Sequence, residues 1–248
     1  MPTSQSSKAA VKLAEASKRK PGRPRMADQV GTPDPRERLL KVAIRLFAQR
    51  GFEAVSTGDV AKAAKLSQPM VHYHFGSKDH LWRAAIDHLM SDLALRFPSN
   101  SNDLKDLDPV SQLKVMTRRF ITMSASDSSL SRIVIHESLS RSERLDWLVG
   151  RYVKRGFDNF DNVIKAGIRA GLIKDLPLYA ATNTLISAAS FTFCVSAMVR
   201  LVYEADLTEP DTISEMADSI IAILFNGLIV RVQAQSDPVG HDEAGDKS

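Results

Sequence analysis

The sequence has little of what secreted proteins and most enzymes need. Its 248 residues include one cysteine, Cys194. One thiol closes no internal disulfide and builds no thiolate zinc cage, and such sparse use fits a reducing compartment. There is no G-x-S-x-G elbow, no Gly-rich phosphate loop and no metal-ligand spacing, so no catalytic residue, metal or cofactor is expected. Residues 1–30 are polar and basic and lack the apolar run of a signal peptide. Strand-period alternation does not persist over any useful length. One long stretch also lacks charge: residues 176–199 contain no Asp, Glu, Lys or Arg, and a span of that length can cross a membrane. Yet Thr182, Asn183, Thr184, Ser187, Ser190, Thr192 and Ser196 are spread through it, and no aromatic belt or polybasic flank marks its ends. It reads as a helix buried inside a bundle or dimer.

Charge is present but lopsided. The net charge is +4, yet residues 1–90 carry 16 Lys and Arg against 8 Asp and Glu, while the remainder is acidic on balance. This pattern suggests a polyanion-binding module joined to a part that does not touch the polyanion. Residues 1–33 are rich in Ser, Ala, Lys, Pro and Gly with no apolar face, and 234–248 end in DEAGDKS; both read as disordered.

Between these tails the periodicity is helical. DPRERLLKVAIRLFAQRG places Leu40, Ala43, Ile44 and Phe47 on one face, with Asp34 as cap, Pro35 in the first turn and Gly51 at the exit. In STGDVAKAAKL, Ser56 precedes Asp59 by three residues, the spacing of a capping box. Ser67, Gln68 and Pro69 open a short helix to about Phe75, and Ser77 caps a longer one over 78–96. Further helices follow Pro109 and Asp127 and span 142–170, with Gly156 and Gly167 as small members of its apolar face. Gly171 ends that helix. The last two helices are expected over 178–203 and 211–232. The fold class is all-α, divided into an N-terminal helical domain, 34–95, and a C-terminal helical domain, 96–233.

SQPMVHYHFGSKDHLW, residues 67–82, holds three of the six histidines. Residues two apart on a helix point about 200° apart, so His72 and His74 do not chelate one ion. Zinc pairs on helices use i, i+4 spacing. A helix of about four turns, one of about two, a tight turn near Lys65 to Ser67 and a third helix instead give the layout of a helix-turn-helix, whose last helix enters the DNA major groove.

Residues 36–90, from RERLLKVAIRLFAQRGF through STGDVAKAA and LSQPMVHYHF to SKDHL, resemble the DNA-binding domain of the TetR family of bacterial repressors. The resemblance implies phosphate contacts by Ser56 and Thr57 at the start of the second helix. Gly58 stands where many members have a long polar residue. Gln68, Pro69, Met70 and His72 take the groove-facing positions; Gln68 suits adenine and Met70 a thymine methyl. Tyr73 and His74 sit at the backbone-facing end, with core packing an equal alternative for Tyr73. His74 and Lys78 resemble phosphate clamps. Val60, Ala61, Phe75 and Leu81 look like core. Upstream, KRKPGRPR resembles an AT-hook, with Arg23 and Arg25 entering the minor groove of A·T-rich DNA.

The resemblance also implies a small-molecule effector, for which Met116, Arg119, Phe120, Met123, Trp147, Phe157, Phe160, Asn183 and Phe191 are pocket candidates. Met and Phe together suit a lipophilic ligand. The last two helices are the expected homodimer surface. Together these features describe a cytoplasmic, nucleoid-associated bacterial regulator. Its expected partners are double-stranded operator DNA, a small effector and a second copy, with no membrane and no enzymatic activity. The alternative is a nucleoid-type protein that reads only A·T richness.

Overall fold

A computed structural model describes residues 34–97 and 101–229. The basic arm with Arg23 and Arg25, the tail 234–248 and the end of the last expected helix lie outside these residues. The chain divides into two units at Pro35 and Arg36; of the first, only Asp34 and Pro35 are described.

The all-α expectation holds: the described residues contain no strand, only an isolated antiparallel bridge between Ile173 and Ile229. The helices are α1 (Pro35–Arg50), α2 (Thr57–Ala63), α3 (Gln68–Phe75), α4 (Lys78–Arg96), α5 (Pro109–Ser126), α6 (Ser129–Ser140), α7 (Glu143–Leu148), α8 (Lys154–Arg169), α9 (Leu178–Cys194), α10 (Ser196–Tyr203) and α11 (Pro210–Leu228). A 3₁₀ turn, Ser101–Leu104, precedes α5, and a π-helical turn, Val149–Val153, joins α7 to α8.

Local chemistry accounts for most boundaries. Ser77 accepts from the His80 amide to start α4, and Asp108 accepts from Val110 and Ser111 to start α5. α1 ends at Gly51, whose amide returns to the Phe47 carbonyl at 2.9 Å with φ of +74°. The space is also closed, since a Cβ at Gly51 would lie 3.1 Å from Nδ1 of His136. The backbone therefore favours glycine, and a Cβ there would also crowd the His136 ring.

One sequence expectation needs correction. The helix expected over 178–203 breaks at Val195, and α9 and α10 are bent by 71°. No Gly or Pro signals this break. The bend lets Phe193, Val199 and Leu207 pack on one cluster with Ile121, Ala189 and Ala217. Among the described residues no single helix is long and apolar enough to cross a membrane. Apolar packing continues across residues 95 and 96. The cluster that runs from Leu39 to Leu93 also takes in Ile133 of α6 and Leu148 of α7. Two smaller clusters lie around Leu113, Phe160 and Ile164, and around Ile121 and Phe193.

The two small members of the expected α8 face differ. Gly156 is exposed with open space above it, whereas Gly167 is buried and a Cβ there would lie 2.4 Å from Cδ1 and 2.7 Å from Cγ1 of Ile173. Ile173 cannot withdraw freely, because it is buried and its neighbour Lys174 donates to the Leu228 carbonyl at 3.0 Å. Gly167→Ala is expected to destabilise by about 1–3 kcal/mol through overpacking, and Gly156→Ala to stabilise by about 0.5–1 kcal/mol. Urea unfolding at one fixed protein concentration measures both.

Candidate nucleic-acid interface

Helices α2 to α4 are held by α1. Leu39, Leu40, Ala43 and Phe47 are buried against Val60 and Ala61 of α2, Val71 and Phe75 of α3 and Leu81 of α4. The four residues expected as core in α2 to α4 are thus all buried. Arg38 of α1 donates to the Ala64 carbonyl at 2.5 Å, satisfying the C-terminal end of α2 across the helix pair.

The start of α2 is a full capping box. The Ser56 hydroxyl accepts from the Asp59 amide at 3.1 Å, and the Asp59 carboxylate accepts from the Ser56 amide at 2.9 Å and its hydroxyl at 2.5 Å. These bonds, the Ser56 hydroxyl first, hold the Asp59 carboxyl below its ordinary 3.8. The box is therefore intact at neutral pH, and its contribution is lost only as pH falls through that lowered value. The Ser56 hydroxyl proton is committed to Asp59. The neighbouring Thr57 hydroxyl accepts from Gln68 Nε2 at 3.4 Å and keeps its own proton to donate. Gly58 lies beside the same amide, with Gln68 Oε1 3.6 Å from where a Cβ would be. Ser56, Thr57, Gly58 and Gln68 thus form one local cluster at the starts of α2 and α3.

The turn between α2 and α3 carries Lys65 at φ +55°. A left-handed lysine costs roughly 1–2 kcal/mol relative to glycine, the usual residue in such a turn. The Leu66 amide returns to the Ala61 carbonyl at 2.9 Å and closes the turn.

α3 presents one face outward. Gln68, Pro69, His72 and Tyr73 are exposed, Met70 and His74 are half-buried, and Val71 and Phe75 face the core. Tyr73 is 81% exposed, which removes the core-packing alternative. His72 Nδ1 lies 3.0 Å from the Gly76 carbonyl. A carbonyl only accepts, so Nδ1 carries the proton, and in the neutral ring Nε2 is left as an outward acceptor. The His74 ring contacts Tyr73 edge-on and lies tilted against Phe75, and its Nε2 is buried without a partner. A phosphate contact by His74 therefore falls to Nδ1. Lys78 is half-buried at the start of α4; its ammonium is 4.1 Å from the Phe52 ring centre and 3.4 Å from the Glu53 carbonyl. Sequence pattern did not single out Phe52 or Glu53.

The nine effector-pocket candidates do not surround one space. Arg119, Asn183 and Phe191 are exposed. Trp147 and Met123 pack on the α1–α4 cluster. Met116, Phe120 and Phe160 belong to the cluster around Leu113, where Phe120 and Phe160 meet edge-on at 6.2 Å. Phe157 is half-buried. A groove of about 370 Å³ runs between α5 and α11, beside Arg118, Thr122, Pro210 and Ile213, and another of about 230 Å³ lies beside Lys41, Arg45, His88 and Asp92. Neither is lined by any of the nine. Among the described residues no group of three or more His, Cys, Asp or Glu is placed to hold a metal.

Comparison with known proteins gives a consistent picture. Residues 39–85 match the profile of bacterial regulatory proteins of the tetR family, and residues 109–224 match a tetracyclin repressor-like C-terminal domain. Over 55 residues the chain is 44% identical to an HTH-type transcriptional repressor of Mycobacterium tuberculosis, a match covering 22% of this chain and only 29% of that protein. It is 23% identical to the nucleoid occlusion factor SlmA of Escherichia coli over 67% of this chain and 82% of that protein. The ketosteroid transcriptional regulator KstR2 of Mycobacterium tuberculosis superposes with a TM-score of 0.60 at 21% identity, covering 84% of this chain and 100% of that one. HlyIIR, a hemolysin II transcriptional regulator, gives 0.56 at 16% identity, covering 79% and 98%. At these identities the structural likeness is one of fold.

Two substitutions test the local account. Ser56→Ala should cost about 1 kcal/mol through loss of the cap, and Lys65→Gly should add about 0.5–1 kcal/mol by relieving the left-handed lysine. Chemical denaturation at pH 7 reads both, and a neutral Lys65→Gly would contradict the strained turn.

Proposed function

The chain belongs to the tetR family of bacterial regulatory proteins, DNA-binding transcriptional regulators, and from that premise we propose that it is a dimeric repressor of a palindromic operator, released by a small lipophilic effector. The outward face of α3 carries the proposal: Gln68, Pro69, His72 and Tyr73 stand exposed beside the cluster at the start of α2, while Val71 and Phe75 anchor the helix. Gln68 and Met70 read base edges, with Pro69 and Gly58 allowing close approach of the backbone. His72 offers an acceptor to an amino group on adenine or cytosine. Thr57, Tyr73, His74 and Lys78 face the phosphates, and Ser56 supports them by capping α2. Arg23 and Arg25 extend the contact into the minor groove.

One such motif reads few base pairs, and two copies supply the rest when their recognition helices stand about 34–36 Å apart. Two uncharged exposed stripes support a homodimer through α9 and α11. On α9 they are Ala180, Asn183, Thr184, Ser187 and Phe191; on α11 they are Ser219, Ala222, Ile223 and Asn226. Ile223 is 73% exposed, an apolar cost that a partner would remove. Asn183 and Phe191, expected in the pocket, move to this surface. The effector reading rests on the Met- and Phe-containing clusters of α5 and α8 and on the Ser124 hydroxyl, which is buried without a partner. Release requires tighter effector binding to the conformer that fits DNA poorly.

A nucleoid-type protein that reads only A·T richness is the competing reading, favoured slightly by the likeness to a nucleoid occlusion factor. An inverted repeat from DNA flanking the gene should bind more tightly than a random A·T-rich duplex at the same salt; equal affinity would contradict the repressor. On that repeat, Gln68→Ala should relax preference at one base per half-site by about 1–3 kcal/mol. Lys78→Ala should weaken binding to every duplex and reduce the salt slope. Anisotropy titration over a salt series measures all three.

A further inference from the structure

One side chain of α7 reaches the residues that hold Lys78. The Arg144 guanidinium lies 3.6 Å from the centre of the Phe52 ring. Its Nη2 donates to the Glu53 carboxylate at 3.1 Å and its Nε to the Glu137 carboxylate at 3.1 Å. Phe52 and Glu53 are the two residues that engage Lys78, one through its ring and the other through its carbonyl. Arg144 and Lys78 therefore meet on the same two residues, although they come from different halves of the chain.

The two anchors differ in stiffness. Arg144 is 13% exposed, and Glu137 is 2% exposed and also accepts from the Ser142 hydroxyl. A buried carboxylate cannot release its cation without being left as an unpaired charge, so Arg144 is fixed. Its planar fork bonds two carboxylates while its face lies on an aromatic ring, a combination an ammonium cannot reproduce. Glu53 and Ala54, by contrast, are exposed on a surface turn, and long lysine side chains lose much rotamer freedom when ordered.

We propose that Arg144 is a positioning residue for DNA binding: by fixing Phe52 and Glu53 it pre-organises the Lys78 ammonium to meet a phosphate. The ammonium has three donors. The Glu53 carbonyl takes one and leaves the others for phosphate oxygens. Restricting Lys78 before contact lowers the ordering cost of binding. Arg144 acts on a phosphate contact and not on Gln68, so its loss weakens all sequences alike. The inference rests on the phosphate role of Lys78 proposed above.

The test is a double-variant cycle, read by fluorescence anisotropy on a random-sequence duplex over a salt series. It uses Arg144→Lys, which keeps the charge and a cation for Glu137, and Arg144→Met, alone and combined with Lys78→Ala. Alone, Arg144→Lys should weaken binding and lower the salt slope by up to about 0.9 per protomer. In the Lys78→Ala background it should change neither. Equal losses in both backgrounds would show that Arg144 acts through general charge or folding and would overturn the inference while leaving Lys78 on the phosphate. An unaltered affinity and slope for Arg144→Lys alone would also overturn it, since geometry and not charge is claimed. If Lys78→Ala alone leaves affinity and slope unchanged, both the inference and the phosphate role fail. Should Arg144→Met not fold, Arg144→Lys carries the same decision.

Discussion

Trp82 is wholly buried in α4, and both halves of the chain pack on it. Its indole meets Phe52 edge-on at 6.5 Å and Trp147 at 5.6 Å. Phe52 follows α1, and Trp147 belongs to α7. Ala85, Ile86 and Leu89 continue the same wall along α4. The cost is visible, because the Trp82 Nε1–H is buried without a partner, a penalty of about 1–3 kcal/mol. Burying so large a ring between two sets of helices offsets it. The constraint that follows is geometric: α3 is oriented by α1 and α4, and α4 in turn is packed against α6 and α7.

This constraint shapes the functional account. A DNA-binding unit that shares its core with the rest of the chain has no orientation of its own to keep. Ion pairs reinforce the junction, with Asp87 of α4 accepting from Arg151 and Tyr152 and Arg144 joining Glu53 to Glu137. Any ligand that favours a different packing of α6 and α7 on this core therefore also favours a different placement of α3. The effect is limited to the difference in its affinity for the two packings. The π-helical turn at Val149–Val153 lies where α7 leaves this junction for α8, and such turns are frequent at functional sites.

Features encoded within a few residues were legible in the sequence. The Ser56–Asp59 box, the Ser77 cap and the Gly51 exit are local, and each lies where spacing placed it. The core face of α2 to α4 was legible too, since burial there follows helical periodicity. The break at Val195 was not, because neither Gly nor Pro produces it and the chain on both sides is uncharged. The Phe52–Arg144 contact joins residues far apart in sequence, so no local pattern announces it. The placement of the pocket candidates in separate clusters was illegible for a related reason. An uncharged helical face such as that of Asn183 and Phe191 looks the same whether it lines a cavity or waits for a partner, and only the packing of neighbouring helices separates the two. The left-handed Lys65 was also invisible, since the turn there lacks the glycine that would have marked it.

The helices of the DNA-binding face and the α6–α7 segment share one core and should open together. Native-state hydrogen exchange over a urea series tests this most directly, using the amides of Phe47, Trp82, Ile133 and Leu148, all buried in the same cluster. One opening free energy and one urea dependence are expected for all four. A lower free energy and a shallower urea dependence for Phe47 and Trp82 than for Ile133 and Leu148 would show that the DNA-binding helices open on their own, and would contradict the shared opening.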